Sequence, residues 1–214
     1  MSIRGVIFDL DGTLAHTLPD IAAAVNLGLR SYGLPDRPIE EIRLMIGEGL
    51  PTLCQRALTE HPEVPLPEMV RRVTGHYREH RLDQTLPFDG IPELLDELTT
   101  RGIRLAVLTN KPHEHTGPLM AALFSRWTFT AIEGYREESR RKPDPRTALE
   151  IVERMGASPA EALMVGDSRT DILTAINAGM VPVGATWGYR PAAELVAAGA
   201  KHVIDRPGEL IGLL

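Results

Sequence analysis

The chain has 214 residues, of which 43% are hydrophobic, and a formal net charge of −6 at pH 7. This length fits one ordinary domain or a core with a small second domain, and the negative charge disfavours a nucleic-acid partner. The single cysteine, Cys54, excludes an internal disulfide, and the sequence has no signal segment and no apolar run of about 18 residues, so we expect a cytoplasmic protein without a membrane partner.

The first predicted strand, in "RGVIFDL", runs into Asp9 and Asp11, which are followed by Gly12. Asp-Gly alone most often indicates a turn, because glycine tolerates positive φ angles. A hairpin would need a second strand, whereas the alanine-rich segment that follows predicts a helix. A calcium loop would need Glu at its twelfth position, where Asp20 stands. The two neighbouring negative charges therefore require another partner.

Residues 15–85 show helical patterns, such as "IEEIRLMI" and "LPTLCQRALTE", and no convincing strand. We expect a helical cap domain inserted after the first strand, and a core domain formed by residues 1–14 and 86–214. The cap can lie over the strand ends as a lid. Its Gly47-Glu48-Gly49 segment is either a loop that faces the site or a plain helix break, since a lone GxG is weak support for a phosphate loop.

After this insertion, short apolar strands alternate with helices to the end of the chain. Pro92 is expected to begin one helix, and Asp144 is expected to cap another whose first residue is Pro145. Ser158 and Glu161 have the spacing of a capping box. Strands that alternate with helices predict an α/β fold, a Rossmann-like parallel sheet with helices on both faces.

Polar side chains end three of the predicted strands: Asp9, the pair Thr109 and Asn110, and Asp167. Ligands of open α/β sheets bind outside the carboxyl ends of the strands, so we expect these residues at one edge. Lys142 precedes a predicted helix N-terminus, where its charge and the free N–H groups favour an anion. Each residue also has a simpler explanation: a strand-end turn, a helix cap for Asp167, or a solvated charge for Lys142.

A single site explains all of these residues together. Carboxylate oxygens suit Mg²⁺, and a dication would offset the repulsion between Asp9 and its neighbours. Thr109, Asn110 and Lys142, with backbone amides, can hold phosphoryl oxygens. One carboxylate can attack phosphorus to form an aspartyl-phosphate, and a second can protonate the leaving oxygen and then deprotonate a water.

Four motifs, "DLDGTL", "LTNK", "KPDP" and "GDSRTD", occur in this order and resemble those of the haloacid dehalogenase (HAD) superfamily of phosphohydrolases. The segments "TNKP", "DGTLAHTLPDI" and "GEGL" are most similar to its phosphoglycolate phosphatase branch, which carries a helical cap. The resemblance implies a Mg²⁺-dependent phosphatase of a small phosphorylated metabolite, with 2-phosphoglycolate as one candidate. A phosphomutase of the same fold is the alternative, followed by a non-enzymatic phospho-receiver module.

The resemblance also implies roles for individual residues. Asp9 would be the nucleophile and a Mg²⁺ ligand, and Asp11 would be the general acid/base, with its backbone carbonyl on the metal. Asp167 would complete the metal ligands, and Asp171 would support either the metal site or Lys142. As above, Thr109 and Lys142 would hold the phosphoryl group, with Asn110 beside it.

One departure from the family pattern is His16-Thr17, where many relatives have an acidic residue and a serine. His16 therefore becomes a possible substrate contact and the next candidate for acid/base chemistry. Two histidine pairs, at 76 and 80 and at 113 and 115, have spacings that metal ligands can share, but no third ligand accompanies them. We expect these pairs on solvated faces. The sequence leaves the oligomeric state open.

Overall fold

The computed structural model describes residues 2–214. Its strands are β1 (Gly5–Phe8), β2 (Ala15–His16), β3 (Leu86–Pro87), β4 (Arg104–Pro112), β5 (Phe129–Tyr135), β6 (Ala162–Gly166), β7 (Val181–Ala185) and β8 (His202–Ile204). Its α-helices are α1 (Leu18–Arg30), α2 (Ile39–Met45), α3 (Leu50–Ala57), α4 (Leu66–His80), α5 (Ile91–Thr100), α6 (His113–Leu123), α7 (Arg146–Arg154), α8 (Arg169–Ala178) and α9 (Ala192–Ala197). Short 3₁₀ segments cover Glu138–Arg140, Pro159–Glu161 and Pro207–Leu213. Within residues 2–214, no helix has the length and apolar character that crossing a membrane requires.

Six of the strands form one parallel sheet in the order β5-β4-β1-β6-β7-β8. From β1 the chain first builds one side of the sheet, with β4 and β5, and then the other side. The point where the strand order reverses therefore lies at β1, which is where α/β sheets bind their ligands. The predicted α/β class with a parallel sheet is confirmed.

Both faces of this sheet are covered, which explains why its strands are apolar without alternation. In β1, Val6 and Phe8 pack into a cluster with the buried leucines of α5. The side chain of Ile7 points to the opposite face and joins Ile151 of α7 and Ala175 of α8. Successive side chains of a strand point to opposite faces, so a strand covered on both sides needs apolar residues throughout.

Helices α1 to α4 follow the first strand, as expected for the insertion, and share a hydrophobic cluster of their own. The chain enters and leaves this region through β2 and β3, which pair antiparallel. These strands are not predictable from the sequence, because two residues are too few to show an alternating pattern. The proposed domain limits, with the cap at residues 15–85, stay a prediction.

Two helix starts differ from their predictions by one residue. α5 begins at Ile91, one residue before Pro92. α7 begins at Arg146, and Pro145 occupies the preceding cap position with helical dihedral angles, φ −81° and ψ −13°. Asp144 Oδ1 accepts the backbone N–H of Arg146 at 3.0 Å, so Asp144 does cap the helix, from one residue further back than expected. The capping box of Ser158 and Glu161 is present, and it opens the 3₁₀ segment at Pro159–Glu161.

Candidate active site

Three adjacent strands deliver polar residues to the carboxyl edge of the sheet. Asp9 directly follows β1, Thr109 and Asn110 lie near the end of β4, and Asp167 directly follows β6. All of these residues are buried. The sequence prediction that they meet at one edge is matched by this geometry, because β1 pairs with both β4 and β6.

Lys142 lies among the aspartates. Its Nζ is 2.9 Å from Asp9 Oδ1 and 2.5 Å from Asp171 Oδ1. The residue is only 5% exposed, so the alternative of a solvated charge is wrong. One oxygen of Asp171 is therefore paired with Lys142, which is one of the two roles predicted for this carboxylate.

The other oxygen of Asp171 belongs to the start of α8. Asp171 Oδ2 accepts hydrogen bonds from the backbone N–H of Ser168 at 3.0 Å and from its hydroxyl at 2.6 Å. Ser168, and not Asp167, is therefore the N-cap residue of α8. The helix-cap alternative for Asp167 is wrong. Its Oδ2 accepts the backbone N–H of Tyr189 at 2.6 Å, and its Oδ1 accepts the hydroxyl of Thr13 at 3.5 Å.

Burial and mutual repulsion control the charges of this cluster. Burial raises the pKa of Asp9 to about 6, against the opposing attraction of Lys142. Burial, with the charges of Asp9 and Asp171, raises the pKa of Asp167 well above its ordinary value. Burial alone would lower the pKa of Lys142, but Asp171 and Asp9 outweigh it and raise that pKa. One lysine leaves three carboxylates incompletely neutralised.

A metal ion would fit this excess of negative charge. Carboxylate oxygens of Asp9, Asp167 and Asp171 lie within 4.8 Å of one another. Asp171 is used by Lys142 and Ser168, which leaves Asp9 and Asp167 as donors. Asp9 Oδ1 accepts the Leu10 N–H at 2.7 Å, whereas no residue in 2–214 donates a hydrogen bond to Asp9 Oδ2. An all-oxygen donor set of this kind suits Mg²⁺.

Gly12, Gly166 and Gly188 make room for these carboxylates. Gly12 has a φ of +85°, and a Cβ there would collide with the carboxylate of Asp167. A Cβ at Gly166 would collide with the side chain of Asp171. At position 12, both the positive φ angle and the close contact with Asp167 require glycine. The glycine of "DGT" therefore makes room for a carboxylate of the site as well as forming a turn.

The side chain of Asp11 points to a second lysine. Both of its carboxylate oxygens accept hydrogen bonds from Lys111 Nζ, at 2.9 and 3.0 Å. Lys111 is buried, and its Nζ lies 4.5 Å from the centre of the Tyr77 ring in α4. Burial opposes the charge of Lys111, but Asp11 outweighs it and raises the lysine pKa.

Sequence reasoning missed Lys111. The residue lies in the motif "TNKP", two positions after Thr109, where the pattern alone gives it no role. A basic residue near the end of one strand, beside an aspartate that follows the neighbouring strand, is the available signal.

Thr109 and Asn110 take different positions. The hydroxyl of Thr109 accepts the Lys111 N–H at 3.2 Å and faces a cavity beside Asp9. Asn110 Oδ1 accepts the Lys142 N–H at 2.8 Å, and its Nδ2 donates to Lys142 O at 3.1 Å and to Gly47 O at 3.0 Å. Asn110 thus fixes the backbone of Lys142 and connects it to the cap.

The cavity of about 60 Å³ lies between the strand ends and helices α1, α3 and α4. Gly47 and Gly49 contribute to its wall, so this loop does face the core residues. Glu48 does not line the cavity, and its carboxylate pairs with Arg56 at 2.5 Å. His16 is absent from the lining and packs against Phe88, with ring centres 5.3 Å apart.

The histidine pairs behave differently from each other. His76 and His80 stack with ring centres 4.3 Å apart, and among residues 2–214 neither pair gathers a third metal-ligating side chain. His115, however, is 1% exposed and lines the cavity. The expectation of a solvated face is wrong for His115, because α6 turns that side chain towards Tyr77 of the cap, with ring centres 5.4 Å apart.

Known proteins that are similar to this chain in sequence and in structure point to one family. The family model described as haloacid dehalogenase-like hydrolase matches residues 6–185. A phosphoglycolate phosphatase of Haemophilus influenzae is 33% identical, over 97% of this chain and 96% of that protein. One from Escherichia coli K12 is 36% identical, over 87% of this chain and 82% of that protein. The crystal structure described as a predicted phosphoglycolate phosphatase from Haemophilus somnus superimposes with a TM-score of 0.92 at 28% identity, covering 100% of this chain and 98% of that one.

Proposed function

Because the chain belongs to the haloacid dehalogenase-like hydrolases, we propose that it is a Mg²⁺-dependent phosphatase that hydrolyses a small phosphorylated metabolite through an aspartyl-phosphate on Asp9. The relatives named phosphoglycolate phosphatase make 2-phosphoglycolate the first candidate substrate. The class of phosphoric monoester hydrolases follows from the same relatives, while the metal and the covalent intermediate are parts of the proposal.

Mg²⁺ would be held by Asp9 and Asp167, together with the backbone carbonyl of Asp11. When bound, it would offset carboxylate charge and favour the negative charge of the phosphoryl group. The support for this assignment is the uncompensated charge of Asp9 and Asp167, which Lys142 alone does not neutralise.

In the first step, a carboxylate oxygen of Asp9 attacks phosphorus while the bond from phosphorus to the ester oxygen breaks. Asp9 Oδ2, which receives no hydrogen bond from residues 2–214, is the oxygen best placed to react, since Oδ1 is held by Leu10 and Lys142. Lys142 and Thr109 orient the phosphoryl oxygens. Asp11 gives its proton to the departing ester oxygen.

In the second step, water attacks phosphorus of the aspartyl-phosphate and gives its proton to Asp11. The bond from phosphorus to the Asp9 oxygen breaks, which releases inorganic phosphate and restores both aspartates. Both oxygens of Asp11 contact Lys111 Nζ in this structure. Asp11 must therefore turn away from Lys111, towards the ester oxygen in the first step and towards the water in the second. The cavity wall of cap residues would limit the water that reaches the intermediate.

The observation that carries the proposal is the buried carboxylate of Asp9, fixed at the sheet edge between Lys142 and Asp167. Asp9→Asn keeps the shape of the side chain and removes the attacking charge. We expect this variant to release no phosphate from 2-phosphoglycolate or from p-nitrophenyl phosphate with Mg²⁺, and to form no acid-stable phosphoenzyme. The matched control is Asp89→Asn, at an exposed position.

Phosphate release by Asp9→Asn at a rate close to that of the unmodified protein would contradict the assignment. A phosphomutase would instead return the phosphoryl group to a sugar hydroxyl, and a receiver would keep it on Asp9 for a long time. Phosphate release and the lifetime of the phosphoenzyme separate these alternatives. A cytoplasmic location stays a prediction.

A further inference from the structure

Two buried polar side chains in the cavity wall have no hydrogen-bond partner. The hydroxyl of Tyr77 and both ring nitrogens of His115 are buried, and none of them meets a partner within residues 2–214. Both residues line the cavity that also contains Asp9 and Asp11. Buried polar atoms without partners are costly and rare in folded proteins, so a ligand that supplies the missing partner is the simplest explanation.

Lys111 adds a positive charge to the same place. An ammonium group has three N–H donors, and the two acceptors that Lys111 Nζ meets in residues 2–214 are both oxygens of Asp11. Its Nζ lies over the ring of Tyr77, which in turn contacts the ring of His115 edge-on. Lys111, Tyr77 and His115 therefore form a single cluster. It contains one cation and two polar side chains without hydrogen-bond partners.

The remainder of the cap wall offers no polar side chain. Its other lining residues are Ile21, Ala24, Ile46, Gly47, Gly49, Leu50, Leu53 and Val73. A ligand group beside this wall finds side-chain hydrogen-bond donors only at the cluster of Lys111, Tyr77 and His115. In apolar surroundings, a few convergent polar groups determine which ligand is accepted.

We propose that Lys111, Tyr77 and His115 form a subsite that binds the carboxylate of the substrate's leaving group. The proposal rests on the proposed function, which places the phosphoryl group at Asp9; the leaving group then lies in the cavity that Asp9 and Asp11 line. A carboxylate has two oxygens with about four acceptor positions, enough for one donor from each of the three residues. Tyr77 and His115 thereby become specificity-determining residues of the reaction, one contributed by the cap and one by the core.

The charge of each group supports this arrangement. Lys111 remains cationic beside Asp11. Burial, followed by the charges of Lys111, Arg81 and Arg78 against that of Glu114, lowers the pKa of His115 to about 4. The imidazole is therefore neutral at pH 7 and has one N–H donor, and the hydroxyl of Tyr77, whose pKa burial raises to about 12, also keeps its proton. When Asp11 turns from Lys111 to act, the carboxylate of the leaving group replaces it as the anionic partner of Lys111. A neutral leaving group of the same shape cannot balance that charge.

The test compares two substrates of the same shape, 2-phosphoglycolate and its amide, carbamoylmethyl phosphate, in which a neutral NH₂ group replaces one carboxylate oxygen. The measured quantity is the ratio of their kcat/KM values. Tyr77→Phe and His115→Leu should each lower the preference for the carboxylate by about 10- to 100-fold, as expected for hydrogen bonds to a charged group. His115→Gln keeps an N–H donor and should recover part of the preference.

Tyr32→Phe is the matched control. The hydroxyl of Tyr32 is also buried without a partner, but this residue does not line the cavity. Its removal should leave the ratio unchanged. The proposal is overturned if the unmodified protein shows no preference for the carboxylate, or if Tyr77→Phe and His115→Leu keep the full preference.

A binding measurement separates this proposal from the proposed function. In the Mg²⁺-loaded protein, the ¹⁵N signals of the His115 ring should shift on addition of glycolate and not of glycolamide, and the shift should weaken in Tyr77→Phe. If no phosphate ester is hydrolysed but glycolate shifts His115, the proposed function fails and the subsite stands. If phosphate esters are hydrolysed and glycolate leaves His115 unchanged, the subsite is wrong.

Discussion

At the scale of single residues, the site is dominated by charges that the fold places out of water. Asp9, Asp167 and Asp171 share one lysine, and burial shifts the pKa values of Asp9 and Asp167 upwards. On the cap side, His115 and Tyr77 keep polar atoms buried without partners. Both features cost stability, and each is expected to be relieved by a ligand: a cation in the first case and an anion in the second.

The first prediction concerns stability, pH and Mg²⁺. The pKa of Asp9 is about 6 in the folded protein and 3.8 as a reference for the unfolded chain. Between these values the folded state binds more protons, so the free energy of unfolding of the metal-free protein falls as pH rises, by about 3 kcal/mol for a shift of this size. Asp167 acts in the same direction.

Mg²⁺ should therefore raise the melting temperature more at pH 7 than at pH 5, because it competes with protons for the same oxygens. Thermal unfolding at both pH values, with and without Mg²⁺, measures the difference. Asp9→Asn is the control, and in this variant the effect of Mg²⁺ on the melting temperature should differ little between the two pH values. An equal effect of Mg²⁺ at both pH values would contradict the assigned ligands.

The second prediction concerns His115. His115→Leu replaces unpaired buried nitrogens with an apolar side chain of similar size and should raise the free energy of unfolding by about 1–3 kcal/mol at pH 7. The gain should grow below pH 6.5, because the pKa of His115 lies near 4 in the folded state and the unfolded chain then binds the extra proton. Urea unfolding at pH 7 and pH 5 measures both effects. A loss of stability in His115→Leu would show that the imidazole has a partner.

At the scale of elements, two helices begin in different ways. α8 is capped locally, by Ser168 and Asp171 within one turn. α1 has no cap from Thr17; instead the hydroxyl of Tyr189, 171 residues away from Leu18, accepts the N–H groups of Thr17 at 2.9 Å and of Leu18 at 3.0 Å. The backbone N–H of Tyr189 also donates to Asp167 at 2.6 Å, so one residue connects a metal-ligand candidate to the first cap helix.

The third prediction tests this connection. Tyr189→Phe leaves two buried N–H groups at the start of α1 without an acceptor and should lower the free energy of unfolding by about 1–2 kcal/mol. Hydrogen exchange at residues 17–22 should accelerate, while exchange in β1 should follow only the global change. Tyr135→Phe removes a hydroxyl from β5 and serves as the control. Unchanged exchange at the start of α1 would show that water replaces the tyrosine.

At the scale of the whole molecule, the cap helices and the sheet have separate hydrophobic clusters, and polar contacts connect them. Asp20 of α1 is buried, and its carboxylate accepts hydrogen bonds from the N–H groups of Gln84 and Thr85 and from the Thr85 hydroxyl. The segment that leaves the cap is thereby bound to the segment that enters it. Asn110 to Gly47 and Arg190 to Ile46 add contacts at the cap loop.

The fourth prediction concerns this link. Asp20→Asn keeps the shape but loses the charge and places an NH₂ group against N–H donors, so the free energy of unfolding should fall by about 1.5–3 kcal/mol. Turnover should fall as well, because the cavity wall depends on the position of the cap. Asp36→Asn, which removes only the exposed pair with Arg30, should cost less than about 1 kcal/mol. Equal effects of the two substitutions in urea unfolding would contradict a linking role for Asp20.

The sequence by itself determined the α/β sheet, the order of its strands along the chain and the residues that end them. These features are local: apolar runs bounded by helix starts and stops identify strands, and parallel strands place their carboxyl ends at one edge. Asp9, Thr109, Asn110 and Asp167 could therefore be predicted together. The four motifs in order were sufficient for the family.

Only the tertiary structure decided how these residues pair. The partners of Asp11, Lys142 and the start of α1 come from distant parts of the chain, and no local pattern encodes the direction in which Lys111, Asp171 or Tyr189 points. The solvated face expected for His115 failed for the same reason, since burial there depends on a cap helix that precedes it by some 35 residues. Side-chain pairing follows from packing between elements, which sequence periodicity does not specify.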